Sequence, residues 1–190
     1  PPLNWQLFAF VTRFASAAGC YALLRMLWSQ RYLEASAATA LFILYPGFLQ
    51  QPNANTFQNH FIGYSLAIFS IGLTVFALIV ARRRWLRIAA LILGAALAVG
   101  YLFIYEYMIG LEVVRALLIV YVLRRQFPHW RKWLPRAAVT LLPYLLAAGA
   151  FLYWRLFVFH STRPATDTGA LWSLYADQPL TMLGRLIIET

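Results

Sequence analysis

Three charged residues, Arg13, Glu112 and Arg115, lie inside stretches of the chain that are otherwise apolar. A charged side chain is costly in lipid and usually faces a charged partner or a water-filled cavity. Glu112 and Arg115 are three positions apart, so on a helix they share one face and can pair. We expect Glu112 to face other helices, near Arg13 or Arg115. Two interpretations stay open: a structural ion pair, or a pocket for an anionic substrate in which Arg13 or Arg115 contacts a phosphate.

A second candidate region is the uncharged, amide-rich segment from Leu41 to His60, which includes Gln50 and Gln51. Amide side chains both donate and accept hydrogen bonds, which suits sugar hydroxyls or phosphate oxygens. The alternative is a solvated loop that caps a helix hairpin, with His60 as an ordinary interfacial histidine. Glu106 is expected at the outer rim, either as a base or metal ligand or simply as a solvated carboxylate.

The common signatures of soluble enzymes are missing from the sequence. It contains no phosphate-binding loop, no dinucleotide-binding glycine motif, no H-E-x-x-H zinc motif and no C-x-x-C pair. A single cysteine, Cys20, excludes an intrachain disulfide framework and a multi-cysteine metal site. We therefore expect no metal site and no cofactor in this segment.

Composition predicts the elements that must position these residues. The chain has 190 residues, of which 62% are hydrophobic and 12% are charged, whereas soluble domains carry about 25% charged residues. Its mean hydropathy of +0.66 excludes a disordered chain, a coiled coil and nearly every soluble fold. The prediction is an all-α, polytopic membrane helix bundle, because open-ended structures satisfy their backbone in lipid only as helices.

Uncharged runs bounded by charged, proline or glycine residues predict about six membrane-spanning helices. The predicted spans are residues 5–27, 35–49, 61–81, 88–105, 106–123 and 137–157. Residues 160–190 are expected to form an outer-face loop and the start of a further helix. The tryptophans give an independent check, because six of the seven lie near predicted span ends, and indole rings prefer the headgroup level.

The basic residues predict the orientation. Of the 16 lysines and arginines, 11 lie near alternate connections between the spans. They are Arg25, Arg31, Arg82, Arg83, Arg84, Arg87, Arg124, Arg125, Arg131, Lys132 and Arg136. The positive-inside rule places these connections in the cytoplasm and the loop at 46–60 and the turn at 105–106 outside. The net charge of +10 is thus a topology signal and a contact for anionic lipid, not evidence for a nucleic-acid partner.

The first eighty residues resemble the GT-C superfamily of polytopic membrane glycosyltransferases. The resemblance rests on the order of four segments: a helix ending in a basic pair, a small-residue helix with an aromatic end, a proline-bearing outer loop and a long helix. These segments are Trp5–Arg31, Ala35–Tyr45, Pro46–His60 and Phe61–Ala81. The stretches Leu41–Phe48 and Gly110–Arg115 are also similar to bacterial membrane proteins of that type.

The resemblance implies transfer of a sugar from a polyprenyl-phosphate donor on the non-cytoplasmic face of a bacterial cytoplasmic membrane. The usual catalytic carboxylate of that superfamily lies in the first outer loop, before the helix that matches Trp5–Arg25, so no residue here inherits that role. We accordingly expect an internal fragment whose partners are membrane lipid, the donor and further helices of a longer chain. A divalent metal is open for that longer protein. The candidate substrate contacts are Arg13, Gln50, Gln51, His60, Glu106, Glu112 and Arg115.

Two other classes of function stay open from the sequence. In a transporter or flippase, Arg13, Glu112 and Arg115 would line the path, and the longer chain would repeat the hydropathy pattern. In a membrane scaffold without catalytic activity, the same charges would only join helices.

Overall fold

The computed structural model describes residues 2–44 and 54–159, and these residues form an all-α helix bundle. Its α-helices are α1 (Pro2–Leu27), α2 (Tyr32–Leu44), α3 (Ala54–Ile79), α4 (Arg84–Ile104), α5 (Gly110–Gln126) and α6 (Trp130–Tyr153). A short 3₁₀-helix, Glu106–Ile109, joins α4 to α5, and a π-helical turn, Trp154–Val158, follows α6. No strand occurs within the described ranges. The predicted fold class is confirmed.

Four of these helices are long and apolar enough to cross a membrane. They are Leu3–Leu27, Gln58–Ile79, Arg84–Ile104 and Trp130–Val158. A bilayer core takes about 20 helical residues, and the described part of α2 has 13 and α5 has 17. The chain is therefore a multi-pass membrane protein, and the predicted count of six spans is approximate.

At three places the helix ends differ from the predicted ends of the loops and spans. The outer loop was expected to extend to residue 60, but α3 already begins at Ala54 and includes His60. The expected basic loop at 124–136 is mostly helix, because α5 runs to Gln126 and α6 begins at Trp130. The fifth span was placed from residue 106, but Glu106–Ile109 is a separate 3₁₀-helix. Polar residues continue a helix wherever its end reaches the headgroups, so charge marks the membrane boundary and not the helix end.

Helix α3 lies at the centre of the bundle. It packs against α1, α4 and α5, while α6 packs against α4 and α5, and α2 packs against α1. Small side chains allow the closest approaches, as is usual between membrane helices. On α1, a Cβ atom built on Gly19 would lie 3.0 Å from Ile68 Cγ2 of α3, and the hydroxyl oxygens of Ser16 and Ser65 are 2.5 Å apart.

The main apolar core lies between α3, α4, α6 and the 3₁₀-helix. Its buried members are Ala67, Ala98, Tyr101, Leu102, Met108, Tyr144 and Phe151. The Tyr101 hydroxyl bonds to Glu112 of α5, and the Tyr144 hydroxyl bonds to Thr74 of α3. The apolar core therefore borders a group of polar side chains, and this group contains Arg115.

Candidate functional site

Arg115 is the centre of a buried polar network that joins four helices. Its side chain extends from α5 and is 0% exposed. The Nε–H donates to Glu112 Oε2 at 2.8 Å, within α5. Nη1 donates to two acceptors on α3, Thr74 Oγ1 at 2.7 Å and the Ser70 carbonyl oxygen at 3.1 Å.

The remaining guanidinium nitrogen, Nη2, also donates to acceptors within the protein. It donates to Ser70 Oγ at 2.8 Å, and to Tyr101 Oη and Glu112 Oε1, both at 3.2 Å. The Tyr101 hydroxyl itself donates to Glu112 Oε1. A guanidinium has five N–H donors and no acceptor, so every donor of Arg115 has an acceptor inside the protein.

Tyr144 attaches α6 to the same network. The guanidinium carbon of Arg115 lies 3.9 Å from the centre of the Tyr144 ring, a cation–π contact. The Tyr144 hydroxyl is hydrogen-bonded to Thr74 Oγ1 at 2.8 Å. Ser70 Oγ donates to the Gly94 carbonyl oxygen at 2.5 Å, which adds a second link from α3 to α4.

The charge of the network is balanced. The positive charge of Arg115 is met by the carboxylate of Glu112, whose side chain is 12% exposed. A buried ion pair repays its desolvation only when its remaining donors and acceptors are also satisfied, and the hydroxyls of Ser70, Thr74 and Tyr101 do this here. The prediction that Glu112 faces the interior beside a basic residue is confirmed, and that residue is Arg115.

Sequence reasoning identified the two charges but missed the neutral groups that surround them. Ser70 and Thr74 are four residues apart in an apolar helix and therefore lie on one face. That spacing is a usable signal for a polar contact inside a membrane bundle. Tyr101, Tyr144 and Gly94 give no comparable signal, because tyrosine and glycine are common throughout the chain and their partners come from distant segments.

His60 and Glu106 lie at one end of the bundle, away from Arg115. His60 is ten residues before Ser70 on α3, which is about 15 Å along a helix. His60 Nδ1 is hydrogen-bonded to the Tyr105 hydroxyl, and the two rings meet edge to face at 4.3 Å. Burial raises the pKa of the Tyr105 hydroxyl above its usual range.

The same end of the bundle carries an exposed ion pair. Arg155 Nε donates to Glu106 Oε2 at 2.5 Å, with the side chains 37% and 60% exposed respectively. The rings of Tyr105 and Tyr107 lie 5.2 Å apart beside it. Aromatic rings and charges together are typical of the headgroup level of a membrane protein. This end corresponds to the predicted outer face.

The remaining predicted site residues are placed apart from these two clusters. Arg13 lies on α1, half-buried, in the turn that precedes the Ser16–Ser65 contact with α3. Gln50 and Gln51 lie outside the described residues. Within residues 2–44 and 54–159, no group of three or more His, Cys, Asp or Glu side chains could hold a metal ion.

The fold and the network define a multi-pass helical membrane protein with a buried arginine that joins four of its helices. No protein-family model, curated protein or solved structure matches the chain. The GT-C resemblance therefore stays a prediction from the sequence.

Proposed function

We propose that these helices form a rigid core of the protein in the membrane, and that Glu112 and Arg115 serve to hold this core together. The observation that supports this proposal is that each of the five N–H donors of Arg115 bonds to an acceptor within the protein. Of the two interpretations of the charged residues, the contacts favour the structural ion pair.

A substrate phosphate or a transported ion could reach Arg115 only by displacing some of these acceptors. Each displaced buried group would lose its hydrogen bond, at a cost of about 1–3 kcal/mol. A transport path instead needs a charge that water or ions can approach, and Arg115 is 0% exposed. This burial weighs against the transporter alternative for Arg115.

The test compares the unfolding of three variants in detergent. Arg115→Met leaves the Glu112 carboxylate buried without its cation and should cost about 3–5 kcal/mol of unfolding free energy. Arg115→Met combined with Glu112→Gln removes both charges and should recover part of that loss. Arg124→Met, at an exposed position near the end of α5, is the matched control and should change stability by less than about 1 kcal/mol.

The proposal of a structural role fails if Arg115→Met unfolds at the same temperature as Arg124→Met. It also fails if the double variant is no more stable than Arg115→Met, because the orphaned carboxylate would then carry no penalty.

A second candidate function is GT-C-like glycosyl transfer from a polyprenyl-phosphate sugar, with substrate contacts at the outer end of the bundle. Two contacts at that end support it: His60 is hydrogen-bonded to Tyr105, and Arg155 forms an ion pair with Glu106. Imidazole, phenol and carboxylate groups can hydrogen-bond to sugar hydroxyls, and a guanidinium can donate hydrogen bonds to phosphate oxygens. The catalytic carboxylate of such an enzyme would lie outside the described residues.

Native mass spectrometry tests this second candidate by measuring how tightly the purified chain retains a polyprenyl-phosphate hexose. Arg155→Gln should weaken retention about tenfold, the loss of one charge-assisted hydrogen bond. Arg82→Gln, an exposed arginine at the opposite end of the bundle, should not. Equal retention by the two variants, or none by the unmodified chain, would count against glycosyl transfer.

A further inference from the structure

A cavity lies between the end of α1 and the beginning of α2. Its volume is about 280 Å³, and it is lined by Leu24, Trp28, Arg31, Glu34, Ala35 and Ala38. It opens at the end of the bundle that carries most of the basic residues, which the positive-inside rule assigns to the cytoplasm. None of these residues belongs to the Arg115 network or to the cluster around His60.

Two opposite charges stand at the rim of this cavity without bonding to each other. Arg31 directly precedes α2, and Glu34 lies in its first turn. Both side chains are exposed, and within the described residues neither takes part in an ion pair or a side-chain hydrogen bond. The two side chains therefore offer a donor for an anion and an acceptor for a cation at the same cavity.

The other four residues that line the cavity are apolar: Leu24, Trp28, Ala35 and Ala38. The Trp28 indole N–H donates to the Tyr121 hydroxyl at 3.1 Å, which fixes the ring. Tryptophan held in this way is typical of the headgroup level of a bilayer. The cavity thus combines two exposed charged side chains in the headgroup zone with four apolar lining residues.

We propose that this cavity binds a phospholipid whose headgroup carries both a phosphate and a primary ammonium group, as in phosphatidylethanolamine. Arg31 donates to the phosphate oxygens, and Glu34 accepts from the ammonium group. The first methylene groups of the lipid contact Leu24 and the two alanines. The rest of each acyl chain lies on the lipid-exposed surface of α2, where Leu41 and Leu44 are more than 70% exposed.

Charge complementarity selects this headgroup over other common ones. An anionic headgroup such as phosphatidylglycerol satisfies Arg31 but leaves Glu34 facing a net negative charge. A choline headgroup is zwitterionic, but its methylated nitrogen has no N–H to donate to Glu34. The volume also suits a headgroup alone, because sites that enclose a whole drug-sized ligand run from about 300 to 1,000 Å³.

Native mass spectrometry of the purified chain with added dioleoyl lipids tests the proposal. The unmodified chain should retain phosphatidylethanolamine about three- to tenfold more tightly than phosphatidylcholine or phosphatidylglycerol, the range for one partly exposed charge contact. Glu34→Gln should remove this preference, while leaving phosphatidylglycerol retention equal or higher. Arg31→Gln should weaken the retention of all three lipids, because each carries a phosphate group. Arg83→Gln, which replaces an exposed arginine outside the cavity, is the control and should leave the retention of all three lipids unchanged.

The lipid preference of the unmodified chain is itself decisive, so the test does not depend on how the variants fold. Equal retention of the three lipids would overturn the proposal. An unchanged preference in Glu34→Gln, with native helicity by circular dichroism, would also overturn it. Tighter retention of phosphatidylglycerol by the unmodified chain would assign the cavity to anionic lipid instead.

Discussion

Gly94 and Tyr144 approach so closely that a Cβ atom built on Gly94 would lie 2.6 Å from the Tyr144 hydroxyl oxygen. Real Cβ atoms do not come this near to another heavy atom. The Tyr144 ring cannot easily move away, because it also lies on the Arg115 guanidinium and bonds to Thr74. The absence of a side chain at Gly94 therefore sets the distance between α4 and α6 at the level of the network.

Gly94→Ala should destabilise the protein. The added methyl group would push the Tyr144 hydroxyl away from Thr74, and overpacking of this kind costs about 1–3 kcal/mol. The measurement is the midpoint of thermal unfolding in detergent. Gly72→Ala is the matched control, because a Cβ at that helical position meets no atom within 4 Å. It should leave the midpoint unchanged or raise it slightly, since alanine favours helix over glycine. Equal midpoints for the two variants would contradict the assigned contact.

Tyr144→Phe should rescue Gly94→Ala. Alone, Tyr144→Phe removes one buried hydrogen bond, at a cost of about 0.5–1.5 kcal/mol, and keeps the ring on Arg115. In the double variant the clashing oxygen is gone, so the alanine methyl group fits and the two losses should not add. A double-mutant cycle measures this coupling, which we expect to be at least about 1 kcal/mol. Strict additivity would show that the alanine clashes elsewhere, for example with the Ser70 carbonyl oxygen at 3.3 Å.

Glu112→Gln and Glu106→Gln make the same chemical change in two ion pairs that differ in burial. Glu112 faces an arginine that is 0% exposed, so its neutralisation leaves a buried cation without a counter-charge. We expect a loss of about 3 kcal/mol, the lower end for a broken buried pair, because the amide oxygen still accepts a hydrogen bond. Glu106 is 60% exposed, and its loss should cost at most about 1 kcal/mol.

Thermal unfolding at low and high salt separates these two cases. The effect of Glu106→Gln should fade at high salt, because exposed charges are screened, while that of Glu112→Gln should persist. Equal losses in the two variants would mean that water reaches Arg115.

How much of this structure the sequence predicts depends on the kind of signal. Apolar run length predicted the helices and their order, because four of the runs are long enough to cross a bilayer core of fixed thickness. The Glu112–Arg115 pair was predictable because charged residues are rare within spans, and because two residues three positions apart share one face of the same helix. Helix ends were predicted less well, as at Ala54, because the helix continues past the membrane boundary into polar sequence.

The partners of Arg115 could not be predicted from the sequence. Ser70, Thr74 and Tyr144 lie 45, 41 and 29 residues from it in the chain, and only packing of the helices brings them together. The cavity at Arg31 and Glu34 was missed for a different reason. Arg31 was interpreted only as an orientation signal, and the space beside it depends on the angle between α1 and α2.

The orientation of the bundle is testable with two cysteine variants made in a background that carries Cys20→Ala. Tyr107 is 57% exposed at the end of the bundle with few basic residues, and Arg83 lies at the opposite end, directly before α4. With 11 of the 16 basic residues near the connections on the Arg83 side, that side should face the cytoplasm. In intact cells, a membrane-impermeant maleimide should label Tyr107→Cys. It should label Arg83→Cys only after permeabilisation.

Labelling of both positions from one side would contradict the helix order, because α4 separates them by one membrane crossing. The reverse labelling pattern would keep the fold but place the cluster of His60 and Glu106 in the cytoplasm, and the outer-face glycosyl-transfer proposal would then fail.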